Sequence, residues 1–560
     1  MVEIELFTQV LNERGLKKFI INIFKETNEY IDNNTDIERW DKKTSLSSKP
    51  MVFLYELLKS FGLPFTIICE PFYSDAAYND SYSIFYSHKH IPVNKYCRRL
   101  SFFTGKKNTI EGYIYDNYDE EKLNECFIGT CIVKPLTIGC IGETLINPSK
   151  LIDTDTTGKY IRTVNFKLCI LGADLNVNAF PYMMQDQETT TCAEVTLLNL
   201  FQYFSERYSE YKIVYPSEIK EIEEDQHPQR VLPSHGLTYP IITKILSTFG
   251  FSPIMHDIDA YQTIIKEDAD NRLKRLLYYY IESGIPVAIG LSLPFNEIKE
   301  GHSILCIGHG ERSCEYRKRY REYHRSLTDS IFIADTADFY DDFVVMDDNQ
   351  IPYMLKNYGN LSVDENKKVS ILTIPLYNEM YMEAADAHCI VNDILKNEKI
   401  GISRSIEQFL NCIREDETKR GLFELLENLG QKKNPVVTRL FLSSSKNYRS
   451  HKVANRGQLN NDIKRLYSSV PLPRFIWICE LYTYNSYDEK YAVGEIILDA
   501  TSSPNAGLES LLILHYPGYI GFREPDASYT DLERYFNYPT PIENWDKFAG
   551  YSGHMTANNI

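Results

Sequence analysis

Gln185-Asp186-Gln187-Glu188-Thr189-Thr190-Thr191-Cys192-Ala193-Glu194 is the stretch on which the reading of this chain turns. A polar, threonine-rich run delivers one cysteine to the head of a strongly apolar segment, residues 195–204. Leu197, Leu198, Phe201 and Phe204 recur at three- and four-residue spacing, the stripe of a helix packed on one face. The pattern predicts a helix beginning at or near Cys192. Free backbone N–H groups and the positive end of the helix dipole favour a thiolate there, drawing a thiol down from about 8.5 toward neutrality. A cysteine so placed is a candidate nucleophile. Because a buried inert thiol is the commoner finding, its partners decide the matter.

The partners stand downstream. Glu300-Gly301-His302-Ser303-Ile304-Leu305-Cys306-Ile307-Gly308-His309-Gly310 sets a histidine at the mouth of a nearly continuous apolar run that glycines then stop. Apolar residues on both faces predict a strand in the middle of its sheet. A later predicted strand, residues 343–346, ends in Asp347-Asp348-Asn349-Gln350, an acid pair at a strand tip. These residue types divide the labour of acyl transfer. A thiolate attacks the carbonyl carbon, an imidazole accepts and returns the proton, and a third group fixes the imidazole tautomer. A side-chain amide next to the cysteine N–H steadies the oxyanion, and one such donor is worth about 3–4 kcal/mol of barrier. Gln185 and Gln187, seven and five positions before Cys192, are the two candidates for it. Asp347, Asp348 and Asp335, which follows a predicted strand at 331–334, are the candidates for the acid. His309 and His235 are alternative bases; His309 stands about 20 Å from His302 if the strand is extended.

Bulk properties narrow the class. At 560 residues the chain exceeds one ordinary core, and 43% hydrophobic with 24% charged residues is a globular balance. The 41 tyrosines and 28 phenylalanines favour half-buried strands. A net charge of −17 argues against general affinity for nucleic acid or an anionic membrane. The first residues lack a basic-then-apolar signal pattern, and no apolar run reaches the ~20 residues of a membrane span. Twelve cysteines without a C-x-x-C pair fit reduced thiols in a cytoplasmic protein, not a disulfide framework or a zinc site. No metal or other cofactor is implied.

Three regions emerge. Residues 1–150 read as an α+β domain, helical to about 62 and then stranded at 65–69, 82–86, 100–103 and 126–136; Arg98 and Arg99 read as solvated charges on an edge strand. The turn-rich cluster 153–158 marks the boundary to a unit spanning 151–376, with helices predicted from 192, from Thr238 to 249 and from 260 to 282. That unit carries a basic insertion, 312–326, in which Arg312, Arg317, Lys318, Arg319, Arg321 and Arg325 interleave with Tyr316, Tyr320 and Tyr323. It reads as a solvated face, or as a docking site for an acidic protein partner. Residues 377–560 form a further α+β domain. Glu480, Glu495 and Asp499 fall in adjacent predicted strands there, and residues 551–560 read as a frayed tail.

In order, Gln185, Cys192 on a helix start, His302 on a strand and Asp347 at a strand end resemble the papain-like cysteine peptidases. The style is nearest to the bacterial branch that includes the leader-peptide peptidase domains of bacteriocin exporters. The resemblance covers about residues 175–355. It implies an α+β fold, with a papain-like core of helical subdomain plus antiparallel sheet embedded between the N-terminal and C-terminal mixed α+β domains. It implies Cys192 as nucleophile, His302 as general base and acid, Asp347 as the orienting acid and Gln185 in the oxyanion hole. The family's glutamine precedes its cysteine by six positions, a spacing that neither Gln185 nor Gln187 matches. Phe102-Phe103, Val133-Lys134-Pro135-Leu136 and Gly494-Glu495-Ile496-Ile497-Leu498-Asp499-Ala500-Thr501 look like flanking segments of uncharacterised bacterial papain-like proteins and carry no activity. The implied function is a cytosolic cysteine peptidase acting on a peptide or protein. A deamidase or transglutaminase shares the thioester intermediate and stands as one alternative. A non-catalytic scaffold built on the same core is the other.

Overall fold

Short β-branched and aromatic runs, broken by Gly, Asn and Asp turns, assemble into three larger sheets that are antiparallel apart from one edge strand. The computed structural model describes residues 5–8, 13–27, 49–61, 64–152, 159–226, 230–258, 269–292, 301–323, 331–361, 367–454, 461–523 and 548–551. The predicted boundary at 153–158, residues 260–268 of the predicted long helix, Arg325 and the tail beyond 551 lie outside them. Among the described residues no helix is long and apolar enough to cross a membrane.

The first sheet is a meander in chain order: Glu5–Thr8, Phe65–Tyr73, Cys97–Thr104, Phe127–Val133 and Ile141–Ile146. Its first strand corrects the helical reading of the N-terminus. Val2, Ile4 and Leu6 alternate with Glu3 and Glu5, which is strand period. Residues 82–86 are not a strand either. Asp75 caps a helix, Ala76–Ile84, by accepting the Tyr78 N–H at 2.7 Å. Nor is Arg99 a solvated edge residue. Its strand lies between two others, and its guanidinium grips both oxygens of Glu70 at 2.6 and 2.9 Å.

The second sheet carries the site. Its order is Met354–Asn357, Asp342–Met346, His302–His309, Val287–Ser292, Lys368–Tyr377 and Phe251–Asp257, with Tyr160–Ile161 pairing onto the far end of the His302 strand. Ile304, Leu305, Cys306 and Ile307 are all buried, as a central strand requires. Gly308 is obligatory here. A β-carbon on it would stand 2.0 Å from the Tyr160 carbonyl oxygen. The helix Cys192–Arg207 packs across this strand with Leu197, Leu198, Phe201 and Phe204 buried.

The third sheet runs Ile333–Asp335, Val436–Ser444, Phe475–Tyr482, Gly494–Asp499, Leu511–Tyr516 and Tyr519–Phe522. Its parallel edge strand, Ile333–Asp335, comes from within the 151–376 unit, so chain order and spatial order part company. The basic insertion immediately precedes it in the chain. Helix Tyr316–Tyr323 is folded back onto this part of the molecule, Arg312 and Arg317 pairing with Asp488 and Arg319 with Asp341, while Tyr316 and Tyr320 are buried. The acid these three cations meet lies in their own chain.

A chain of buried charges locks the second sheet to the third. Arg439 donates to Glu282 through Nε and Nη2 at 2.8 and 2.6 Å and to Glu480 through Nη1 at 2.9 Å. Glu282 also bonds His309 Nε2 at 2.8 Å. Burial alone raises a carboxyl, but the Arg439 charge and the His309 ring outweigh it and hold Glu282 at about 2. Tyr551 closes the cluster, its carbonyl accepting from Arg439 at 3.0 Å and its N–H donating to Glu480. Tyr551 is 2% exposed, so the expected fraying does not reach it. Arg439→Met removes the buried cation that the Glu282 and Glu480 carboxylates share and is expected to lower unfolding stability by about 3–5 kcal/mol. Arg474→Met, which removes an exposed pair with Glu210, is expected to lower it by about 1 kcal/mol or less. Urea unfolding of both variants checks the contrast.

Candidate active site

The head of the Cys192–Arg207 helix is fixed before any catalytic group is considered. Thr191, extended at φ −109°, is its N-cap, and the Glu194 carboxylate accepts the Thr191 N–H at 3.0 Å and the Thr191 hydroxyl, as in a capping box. The other oxygen of Glu194 takes the Lys220 ammonium at 2.8 Å and the Ser234 hydroxyl. Lys220 in turn reaches Glu223 and Ser234 at 2.8 and 2.9 Å. All are buried. Burial opposes the charge on Glu194, yet Lys220, Ser234 and Thr191 together hold its carboxyl below the usual range. Cys192 thus occupies the first helical position, where backbone N–H groups lack intrahelical partners.

The preceding loop is wound around one carboxylate. Asp186 accepts the N–H groups of Glu188, Thr189 and Thr190 at 3.0, 2.7 and 2.8 Å. It stays ionised despite burial because Lys134, the Thr189 hydroxyl and those N–H groups favour the charge. Gln187 forms the tip of this turn at φ +62° and is exposed. Gln185 is part-buried, and its backbone packs on the N-terminal sheet's connection. A β-carbon on Gly139 (φ +59°) would come within 1.9 Å of the Gln185 carbonyl oxygen.

His302 opens its strand facing this helix start. Its Nε2 lies 2.8 Å from Asp347 Oδ1 and 3.7 Å from Asp348 Oδ1, and the Cys192 side chain lies beside the ring. With Nε2 taken by Asp347, Nδ1 is the nitrogen left for the sulfur. Burial works against charge on the ring, but the bond to Asp347, the Cys192 side chain and the charges of both aspartates prevail, raising His302 to about 10. Asp347 has no exposed surface. Its Oδ1 also accepts the Asn349 N–H at 3.0 Å and its Oδ2 the Gln350 amide at 3.1 Å. Burial pushes Asp347 up, while His302 and these donors pull it down to about 2. Asp348 goes the other way. Burial and the neighbouring Asp347 charge outweigh His302 and push it up to about 7. The Gln185 N–H points at this second carboxyl, and the Asn349 amide donates to it at 3.0 Å.

Cys192, His302, Asp347, Asp348 and the backbone of Gln185 are therefore brought together, and four other candidates, the exposed Gln187 among them, are not. Asp335 belongs to the third sheet, where it pairs with His388 at 3.0 Å. His309 sits at the far end of its strand, bonded to Glu282 and ringed by Tyr160, Tyr278 and Tyr340. His235 is exposed in the loop that passes Thr191. Asn349 and Gln350, which steady the acid, were legible only as neighbours of Asp347. Glu194 carried a readable signal, lying three residues after Thr191 and before an apolar run.

His302, Asp347 and Asp348 also have ligand-type atoms within 4.8 Å of one another. An ion bonded at about 2.0–2.2 Å would have to replace the His302–Asp347 hydrogen bond and compete with the N–H groups already on Asp347. The donor set fits a proton-transfer pair better than a cation cage. Comparison with protein-family models and with curated proteins found no match.

The two shifts carry opposite pH signs. Raised His302 stabilises fully below the ordinary imidazole value and loses that stabilisation as pH climbs toward about 10. Lowered Asp347 stabilises fully above the ordinary carboxyl range and loses it as pH falls toward about 2. The stability gap between wild type and His302→Ala is expected to be widest between about pH 4 and 6.5 and to narrow on both sides. Urea unfolding across pH checks this; a gap that stays flat into alkali contradicts the assignment.

Proposed function

We propose that this chain is a cysteine peptidase of papain-like design, working through a thioester acyl-enzyme. The observation that carries the reading is the His302 ring, hydrogen-bonded to the buried Asp347 carboxylate at 2.8 Å with the Cys192 side chain beside it at the head of its helix. A cationic imidazole beside a sulfur favours the thiolate. The sulfur attacks the carbonyl carbon of a peptide bond, forming a C–S bond while the carbonyl oxygen becomes an oxyanion. The Cys192 N–H and the Gln185 amide donate to it. His302 gives its proton to the departing amine, then takes one from water as the thioester is hydrolysed. Asp347 keeps the ring oriented throughout. Asp348, pushed up to about 7, is the weaker candidate for that task because it spends much of its time neutral near pH 7.

All twelve cysteines are free thiols, which suits a nucleophile operating in a reducing compartment such as the cytoplasm. The substrate is a peptide or an unstructured protein segment. The N-terminal region packs against the loop that precedes Cys192, Gly139 lying close to the Gln185 carbonyl.

An electrophilic thiol probe with peptide mapping tests the reading. Cys192 of the wild type is expected to label at neutral pH, and Cys192→Ser to abolish that label with an unchanged melting temperature. His302→Ala is expected to slow it by on the order of 100-fold, Asp347→Asn strongly, and Asp348→Asn only a few-fold. Equal labelling of folded wild type and His302→Ala removes the basis of the proposal. A chelator is expected to change nothing; abolition by chelation would assign the cluster to a metal. Incubation with an unfolded polypeptide is expected to yield new N-termini in mass spectra. Deamidated glutamines without new N-termini would replace peptidase by deamidase.

A further inference from the structure

The turn that carries the acid pair is gripped from outside its own sheet. The helix Lys49–Lys59 begins 300 positions before Asn349 and lies against that turn. Its Phe53 ring stacks on Tyr182, centroids 5.0 Å apart, and the Tyr182 hydroxyl donates to the Asp348 carbonyl at 3.2 Å. Tyr353, fully buried where the turn ends, donates to the Ile146 carbonyl at 2.7 Å and accepts the Phe180 N–H at 2.8 Å. Lys49 reaches furthest in, its ammonium donating to Asn349 Oδ1 at 3.2 Å. That contact fixes which way the Asn349 amide lies, because an ammonium can only donate and an ionised carboxylate can only accept. With its oxygen on Lys49, the amide turns its NH2 to the acids: Nδ2 is 3.0 Å from Asp348 Oδ1, 3.4 Å from Asp347 Oδ1 and 3.4 Å from His302 Nε2. The reverse orientation would set N–H against ammonium and oxygen against carboxylate. The two acids compete for one imidazole. Asp348 Oδ1 stands 3.7 Å from His302 Nε2, against 2.8 Å for the Asp347 oxygen that binds it. Asp348 is also short of donors, its buried Oδ2 making no hydrogen bond among the described residues.

We propose that Asn349 is a positioning residue that keeps His302 on Asp347 by occupying Asp348, and that Lys49 holds the amide in the orientation this requires. The inference rests on the acyl-enzyme reading of the site and adds the N-terminal region to its working parts. Asn349 acts through the ring and touches no reacting atom. Without its amide, the Asp348 oxygen nearest the imidazole regains a free lone pair and draws the ring toward itself, away from the direction that Asp347 imposes. A displacement of about 1 Å in a reacting group costs up to about 100-fold in rate. Lys49 is exposed, so its own share is the smaller one.

Labelling of Cys192 in the full chain by iodoacetamide at neutral pH, timed by peptide mapping, tests this. Asn349→Leu, with folding checked by circular dichroism, is expected to label on the order of 10-fold more slowly than wild type. Adding Asp348→Asn removes the competing carboxylate and is expected to return the rate to that of Asp348→Asn alone. A residue that merely stabilised the turn would not be rescued by a second substitution beside it. Lys49→Met is expected to slow labelling about three-fold, and Lys49→Arg, which keeps a donor, to restore it. Folded Asn349→Leu at the wild-type rate overturns the proposal, as does a slow rate that Asp348→Asn fails to restore. Lys49→Met at the wild-type rate overturns the part given to Lys49. The ring-nitrogen NMR signals of His302, assigned by their loss in His302→Ala, supply an arm that needs no chemistry. They are expected to shift in Asn349→Leu and to return in the double variant. If wild-type Cys192 does not label, the peptidase reading fails on its own account, and these signals still decide for or against Asn349.

Discussion

A lysine ammonium shut away from water governs the head of the Cys192 helix. Lys220 is 4% exposed, and a charge so placed is tolerated only when every proton finds a partner. Its partners are Glu194, Glu223 and Ser234, one in the Cys192 helix, one in its own helix and one in the 230–236 loop. Three pieces of chain can meet these demands in a single arrangement, and that arrangement sets where Cys192 begins its helix. The Lys220 helix, Pro216–Gln226, is itself tied back to the N-terminal region, Asp80 accepting both the N–H and the hydroxyl of Ser217 at 2.7 Å. The Cys192 sulfur is placed by charge satisfaction several residues away from it.

The two adjacent acids illustrate how local surroundings separate like groups. Asp347 and Asp348 share a strand tip, yet one is held at about 2 and the other pushed to about 7. The difference lies in donors. Asp347 collects an imidazole, a backbone N–H and a side-chain amide, whereas Asp348 is buried beside an existing negative charge. Two ionised carboxylates at this distance would repel each other strongly in so dry a place, and unequal hydrogen bonding decides which keeps its charge.

What the sequence disclosed follows a physical rule. Cys192 at a helix start and His302 at the mouth of a buried strand were legible because caps, apolar periodicity and glycine stops act within a few residues. The acid pair at the tip of the 342–346 strand was legible for the same reason, although choosing between Asp347 and Asp348 needed their donors. Asp335 was not separable from them, because its strand pairs with residues more than a hundred positions later. Arg99 looked solvated because its partner Glu70 lies across a sheet. The basic run at 312–326 looked like an outward-facing surface because Asp488 is far away in sequence and close in space. Local signals located the parts of the site; only long-range pairing could say which part belonged to which.

The Arg439 lock bears on the order in which the molecule assembles. Arg439 meets Glu282 across 157 positions of sequence and Tyr551 across 112, whereas the first sheet is a meander of neighbours. Loop closure of that span is entropically slow, so local hairpins gain their contacts earlier. Until the lock closes, Glu282, Arg439 and Glu480 are better left hydrated than half-paired in a dry interior, which discourages premature burial of the seam between the second and third sheets. The ion cluster thus acts on the folding route as a late checkpoint: mispaired collapse is penalised, and the seam dries only when all of its charges have arrived.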